Sequence, residues 1–482
     1  MNARIDHSAS QAAGQLSVRN PRTGVHDTCI DVASAAEVAA TATRLRAAQR
    51  AWARLDIEAR AAVLSRWADE IAVEREALIE ALFTDTGRWA MSVGEVDGAV
   101  RNIRRWAAQA PGLVGESEFQ SALLPTVKIR DQYVPYALVG CISPWNFPVT
   151  LSLIDAVPAL VAGCAVLVKP SEVTPRFVGP LRRALERVPE LAAVLTFVTG
   201  AADTGRALVA EVDAVCFTGS VATGRKVAEA AAARFIPAFL ELGGKDPAVV
   251  LASADVEMAT DVVLRGAIAN NGHACMSLER IYVQRPLYDE FLARLVEKAR
   301  AVALAYPDPK AGYLGPLIFE AQARTIQKQI DEARARGAKV LTGGKVENLG
   351  GGLYLRPTVV VDVDHRMSLM TEETFGPVIP VMPFDTPEEA IALANDSEFG
   401  LSACVLAGTV DEALTIGREI DAGGISLNDG CMTYMTYEGE KNSFKYSGLG
   451  GSRMGAAGLR RFFRKKSLIQ QHGRASGVPV SP

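Results

Sequence analysis

The chain has 482 residues, 49% of them hydrophobic and 22% charged, with 51 basic and 55 acidic side chains giving a net charge of −4. This is the composition of an ordinary globular protein with a sizeable core, and its near-balanced charge excludes neither sign of ligand but gives no basis for a nucleic-acid partner. No apolar run reaches the roughly 18 residues of a membrane span, residues 1–15 lack the apolar stretch of a secretory signal, and seven scattered cysteines show no C-x-x-C spacing, so no metal and a reducing, cytoplasmic setting are expected.

Residues 34–110 carry apolar side chains at three-, four- and seven-residue steps: Val38, Leu45, Ala48 and Trp52, then Leu64, Trp67, Ile71, Leu78 and Leu82. That spacing predicts helices with one buried face and puts the tryptophans in the core. The segment 127–134 alternates apolar and polar residues, as a half-exposed strand does, and 466–470 is a second candidate. Neither is stable alone, so they are expected to pair with each other or with another subunit.

From 138 to 250 short apolar runs (138–142, 165–168, 194–198, 214–217 and 237–242) alternate with amphipathic segments, the pattern of a parallel sheet with crossover helices. A second α/β series runs to 427, with strands expected at 248–251, 339–341, 358–361, 379–382, 403–406 and 424–427. Two such units, before and after Glu241-Leu242-Gly243-Gly244-Lys245, imply a cofactor domain and a catalytic domain with a cleft between them.

Several turns in this order carry chemistry. Pro144-Trp145-Asn146-Phe147-Pro148 stiffens a turn with two prolines and presents one amide, which reads either as a turn-former or as an oxyanion donor worth about 3 kcal/mol in a transition state. Lys169-Pro170-Ser171-Glu172 follows a buried strand and reads either as a solvated turn or as a ribose site, with Glu172 accepting from both hydroxyls and repelling a 2′-phosphate. In Phe217-Thr218-Gly219-Ser220 a strand enters a helix whose free N–H groups and dipole suit a phosphate, although the spacing is not G-x-G-x-x-G. Cys275 lies in Asn271-Gly272-His273-Ala274-Cys275, beyond the expected helix 256–269. It reads either as a buried, inert cysteine, the common case, or as a nucleophile, since a loop beside a cleft permits donors or helix dipoles to lower its pKa.

Taken together these motifs resemble the NAD(P)-dependent aldehyde dehydrogenase superfamily over nearly the whole chain. In family order they are PWNFP (144–148), KPSE (169–172), FTGS (217–220), ELGGK (241–245), the run ending at Cys275, EETFGP (372–377) and Lys445-Tyr446-Ser447-Gly448. The resemblance implies a Rossmann-like cofactor domain (1–118 and 138–243), an α/β catalytic domain (244–445) and oligomerisation strands (119–137 and 464–482) that assemble a homodimer or homotetramer. It also implies roles. Cys275 would be the nucleophile, Glu241 the general base, and Asn146 with the Cys275 backbone N–H the oxyanion hole. Trp145, Lys169, Glu172, Gly219, Ser220, Glu373 and Phe375 would meet the cofactor, with Glu373 on the nicotinamide ribose and Phe375 beside the ring. NAD is the expected cofactor, NADP being possible, and the substrate is a small-molecule aldehyde with no membrane partner.

The expected reaction is attack of Cys275 on the aldehyde, hydride transfer, and hydrolysis of the thioester by water that Glu241 deprotonates. A CoA-acylating dehydrogenase would typically lack the ELGGK glutamate, and a catalytically silent member need not keep Cys275, Glu241 and Asn146. Two departures from the family pattern stand out. His273 replaces the usual glutamine and reads as a packing or hydrogen-bonding substitute. Gly450-Gly451-Ser452-Arg453-Met454 replaces a stretch that often carries an Arg-Glu pair, so Glu241 is left as the only base. Substrate choice is expected at 149–155, around Cys275 and at 428–444, where Met432, Tyr434, Met435 and Tyr437 are apolar or aromatic while Glu440 and Lys441 add charge. The basic run 460–466 reads as a solvated helix end.

Overall fold

The computed structural model describes residues 14–115 and 117–475; the first 13 residues, Glu116 and residues 476–482 lie outside them, and with them parts of the expected cofactor domain and oligomerisation strands. Ser34 starts the helical region with a reciprocal cap: its hydroxyl accepts from the Glu37 N–H (3.3 Å) and the Glu37 carboxylate accepts from the Ser34 N–H (2.8 Å). Four helices follow, Ala35–Trp52, Ile57–Val73, Arg75–Thr86 and Trp89–Gln109. Val38, Leu45, Trp52, Leu64, Trp67, Ile71, Leu78 and Leu82 are all buried in one core, as their spacing required. Trp52 satisfies its indole by donating to the Leu160 carbonyl at 2.9 Å.

Against this core lies a six-stranded sheet in the order Gly448–Leu449, Ala238–Glu241, Ala214–Thr218, Leu138–Ile142, Ala165–Lys169, Leu195–Phe197. The last five are parallel. Ala165–Lys169 and Ala214–Thr218 are buried throughout, which fits a parallel sheet covered on both faces. From Leu138–Ile142 the chain winds outward first through 165–169 and 195–197, then on the other side through 214–218 and 238–241. The crevice outside the carboxyl ends of 138–142 and 214–218 is therefore the switch point at which doubly wound sheets bind nucleotides.

The second sheet has seven strands in the order Lys339–Val340, Thr358–Val361, Val378–Phe384, Leu278–Gln284, Asp246–Val250, Ser402–Leu406, Gly424–Leu427. Its central strand, Leu278–Gln284, was not expected from sequence because Glu279 and Arg280 interrupt the apolar run with two charges. Both are buried and paired. The hairpin Gln15–Arg19 with His26–Asp31 was also unforeseen.

Phe463–Gln471 pairs antiparallel with Val127–Pro135 over their whole length, and Glu118–Gln120 adds a third strand. The two strand candidates therefore pair with each other.

Candidate active site

Glu241 ends a strand of the first sheet and Asp246 begins one of the second, so four residues carry the chain from the carboxyl edge of one to the amino edge of the other. Gly243 and Gly244 make this crossing possible by close approach. A Cβ on Gly243 would lie 2.6 Å from Glu373 Oε2, and one on Gly244 would lie 2.3 Å from the Cys275 carbonyl oxygen. The crossing is thus packed between the loops that carry Glu373 and Cys275, and the Gly244 N–H donates to Glu373 Oε1 at 3.1 Å.

The nucleophile loop is shaped by its asparagines. Helix Val256–Ile268 stops where Asn270, Asn271 and Gly272 take φ of 57°, 59° and 70°, a left-handed run that asparagine and glycine tolerate better than other residues. Asn270 Nδ2 donates to the carbonyls of Asn146 (3.1 Å) and His273 (2.9 Å), while Asn271 Nδ2 donates to the Pro316 carbonyl (2.8 Å). Asn146, buried, donates from Nδ2 to the His273 carbonyl at 3.0 Å. The proline-bounded turn and the Cys275 loop are therefore tied together at the positions expected to form an oxyanion hole. The Cys275 backbone N–H donates to no described residue.

His273 is buried, its Nδ1 donates to the Phe375 carbonyl at 2.8 Å, and its ring stacks on Phe375 and meets Trp145 edge-on. Burial and the Arg88 charge push it down to about 3, so it is neutral and packs rather than titrates.

The thiol itself departs from expectation. Cys275 is half-buried, and desolvation with the Glu373, Asp246 and Glu241 carboxylates pushes it up to about 12, against the opposing charge of Lys441. The lone protein resting state thus holds a thiol, not the activated thiolate that the loop position suggested. Glu373 and Asp246 are themselves pushed up by burial, to about 8 and about 7, so the pocket concentrates more acid groups than it can ionise together.

Glu241 is held on both oxygens: Ser443 Oγ donates to Oε2 at 3.1 Å, and Arg453 Nε faces Oε1 at 3.6 Å. Arg453 also donates from Nη2 to Thr218 Oγ1 (2.7 Å) and to Asp155 Oδ2 (2.9 Å), and Arg461 pairs with the other Asp155 oxygen. Sequence reasoning noted Arg453 only for the carboxylate it lacked, and did not single out Asp155, Thr218 or Ser443 as partners of the base.

The expected cofactor residues sit around the switch point. Lys169 Nζ pairs with Glu172 Oε2 at 3.2 Å just beyond the buried strand, a donor and an acceptor side by side as two ribose hydroxyls require. Ser220 caps helix Val221–Ala233 through the Thr223 N–H, leaving the first amides of that helix without intrahelical acceptors. Gly219 lies over the Phe217 ring, where a Cβ would fall 2.6 Å from it. Trp145 meets Phe375 edge-on with centroids 5.3 Å apart, walling one side of the crevice, and Phe375 adopts φ 51°. A free helix N-terminus, a paired acid and base, and the buried acceptor Glu373 suit a dinucleotide.

One further pair went unread in the sequence. Lys245, the last residue of ELGGK, donates to Glu279 Oε2 (2.7 Å) and Thr374 Oγ1 (2.8 Å), and Glu279 accepts from the backbone N–H groups of Thr374 (2.8 Å) and Phe375 (2.7 Å). This buried pair orients the loop that presents Glu373 and Phe375. The signal was the charge at position 279 inside an otherwise apolar strand.

Comparison with known proteins agrees with this geometry. The profile of the family described as "Aldehyde dehydrogenase family" matches residues 7–468. A "Putative succinate-semialdehyde dehydrogenase" of Mycolicibacterium smegmatis, named for NADP(+), is 36% identical over 449 residues, which cover 92% of this chain and 87% of that protein. The structure of "Putative Aldehyde Dehydrogenase PutA" from Anabaena variabilis matches with a TM-score of 0.95 and 52% identity, covering 97% of this chain and 100% of that one. Betaine aldehyde dehydrogenase from Staphylococcus aureus in complex with NAD+ matches with a TM-score of 0.91 and 28% identity, over 97% and 94% of the two chains. The chain belongs to the aldehyde dehydrogenase family. It is an oxidoreductase with a Rossmann-type cofactor sheet, acting on an aldehyde group with NAD or NADP as acceptor. Among the described residues no helix is long and apolar enough to cross a membrane, and no group of three or more metal-ligating side chains is found.

Glu279→Ala strands the Lys245 charge in the core and is expected to cost about 3–5 kcal/mol in urea unfolding, with Lys245→Met/Glu279→Leu less destabilised than Glu279→Ala alone. Glu373 has a folded-state value of about 8 against an ordinary carboxyl value of 4.5. Its contribution to stability is complete at low pH and is lost as pH rises through about 8. Thermal unfolding of the cofactor-free protein is therefore expected to move to lower temperature between about pH 6 and pH 8, and Glu373→Gln to flatten that decline.

Proposed function

We propose that the protein oxidises an aldehyde to its carboxylic acid through a thioester on Cys275, hydrolysed by water that Glu241 activates. The observation that carries this reading is the convergence of the Asn146 amide, the Cys275 loop and the Glu241 carboxylate on the short crossing between the two sheets. Residues 1–118 and 138–243 then act as the cofactor unit and 244–445 as the catalytic unit.

Asn146 keeps one amide hydrogen on the His273 carbonyl, which fixes the side chain, and leaves the other to stabilise the oxyanion formed when Cys275 Sγ adds to the carbonyl carbon. The free Cys275 N–H is the second donor. Addition needs the thiolate, so the Cys275 proton must leave a site that at rest retains it; Glu241 is the acceptor that the fold offers, and Lys441 favours the resulting charge. Lys169, Glu172, Ser220 and Glu373 would hold the dinucleotide, which when bound accepts the hydride from the thiohemiacetal carbon. Glu241 next passes the Cys275 proton to solvent, then takes a proton from water as the water oxygen attacks the thioester carbon, and the sulfur leaves as a thiolate that recovers that proton as the acid is released. Glu241 is also the feature that separates hydrolysis from transfer to CoA.

The three-stranded sheet exposes Phe119 and Ile469, and the turn between its strands 118–120 and 127–135 exposes Leu123 and Leu124; this element is proposed to join subunits in a dimer or tetramer. For the substrate, one observation favours an anionic tail. Lys441 is partly buried, extends over Gly424 and influences Cys275, yet its ammonium has no hydrogen-bond or ion-pair partner among the described residues. The mycobacterial relatives are named for succinate semialdehyde, an aldehyde with such a carboxylate.

Stopped-flow mixing with aldehyde and NAD is expected to give an NADH burst followed by slower acid formation without CoA. Cys275→Ala should abolish both phases and Glu241→Gln should slow the second more than the first; oxidation by Cys275→Ala, or a requirement for CoA, contradicts the reading. Lys441→Met is expected to raise KM about tenfold for succinate semialdehyde, the loss of one charge-assisted contact, while leaving that for butanal nearly unchanged. An equal change for both aldehydes removes Lys441 from recognition.

A further inference from the structure

Arg453 occupies a position that the proposed mechanism leaves without a task. Its guanidinium is buried and links three separate parts of the fold: Thr218 at the carboxyl end of a cofactor-sheet strand, Asp155 from the segment after the proline-bounded turn, and Glu241. Two of these contacts are hydrogen bonds from Nη2. The third is not: Nε faces Glu241 Oε1 at 3.6 Å and has no hydrogen-bond partner, an unusual condition for a buried donor. Asp155 is shared with Arg461, so the buried group contains two guanidinium groups and two carboxylates and is balanced in charge.

We propose that Arg453 is the positioning residue for the general base: clamped by Asp155 and Thr218, it holds the Glu241 carboxylate aligned for attack by water on the thioester. This rests on the hydrolytic reading above. The guanidinium cannot itself carry the proton, because its own affinity for protons is too high. Its role is to fix the carboxylate from one side while Ser443 fixes it from the other. The charged or titratable groups that face Glu241 are Arg453 and Cys275, with Lys441, Asp155 and Arg461 behind them. Arg453 is thus the cation nearest the base, and an opposite charge beside a carboxyl favours its charged form.

The test is a pH series, from about 5.5 to 9, of the NADH burst and of acyl-enzyme hydrolysis in the full-length protein with NAD and a reactive aldehyde. In Arg453→Met the acid limb of hydrolysis is expected to move upward by about one pH unit or more, while the burst slows far less. Arg453→Lys should restore most of the limb, and Thr218→Val, which loosens the clamp, should fall between. An acid limb in Arg453→Met identical to that of the unmodified protein overturns the proposal. So does equal slowing of burst and hydrolysis at every pH with no rescue by lysine, the signature of lost packing alone. Should Arg453→Met fail to fold, the other two variants decide, and unchanged limbs in both overturn the assignment. Absence of any burst in the unmodified protein instead sinks the hydrolytic reading on which it rests.

Discussion

Lys245 and Glu279 are opposite charges with almost no access to solvent, and such a pair is tolerated only when every remaining donor and acceptor is also engaged. Here that requirement fixes the site. Lys245 spends its donors on Glu279 and Thr374, and Glu279 spends its second oxygen on the Phe375 amide, so the loop bearing Glu373 is anchored to the crossing that begins at Glu241. The same crossing presses Gly243 and Gly244 against Glu373 and Cys275. Cys275, Glu241 and Glu373, the proposed nucleophile, base and ribose acceptor, are therefore set by one backbone segment of four residues between two sheets, and a shift in the buried pair would move all of them.

The electrostatics around this crossing are dominated by acid groups. Glu373, Asp246 and Glu241 all disfavour a thiolate at Cys275, and burial raises Glu373 and Asp246 in turn. Arg453 and Lys441 supply positive charge to this acidic centre, the first locked into ion pairs and the second without an ion-pair partner among the described residues.

Much of this was legible in the sequence because it rests on local pattern. The helical faces, ten of the parallel strands and the turns at 144–148, 169–172 and 217–220 are written in spacing and in proline and glycine positions. The pairing of 127–135 with 463–471 followed from two strands that could not stand alone. What escaped depends on partners distant in sequence. Leu278–Gln284 did not read as a strand because Glu279 and Arg280 look like surface charges until Lys245 and a row of carbonyls are brought to them. Arg453 likewise reads as a missing carboxylate until Asp155, nearly 300 positions earlier, and Thr218 are placed beside it. The surroundings of Cys275 were hidden for the same reason: the loop suggested donors, whereas the fold brings Glu373, Asp246 and Glu241 near the thiol.

The central claim is that Cys275 carries the acyl group and Glu241 releases it. Acid-quenching Glu241→Gln seconds after mixing with aldehyde and NAD, followed by peptide mass analysis, tests it most directly. The account predicts that the peptide containing Cys275 gains the mass of the acyl group, that hydroxylamine removes it, and that the unmodified protein retains much less. An unmodified Cys275 peptide alongside a full yield of NADH, or an acyl group found on another residue, would contradict it.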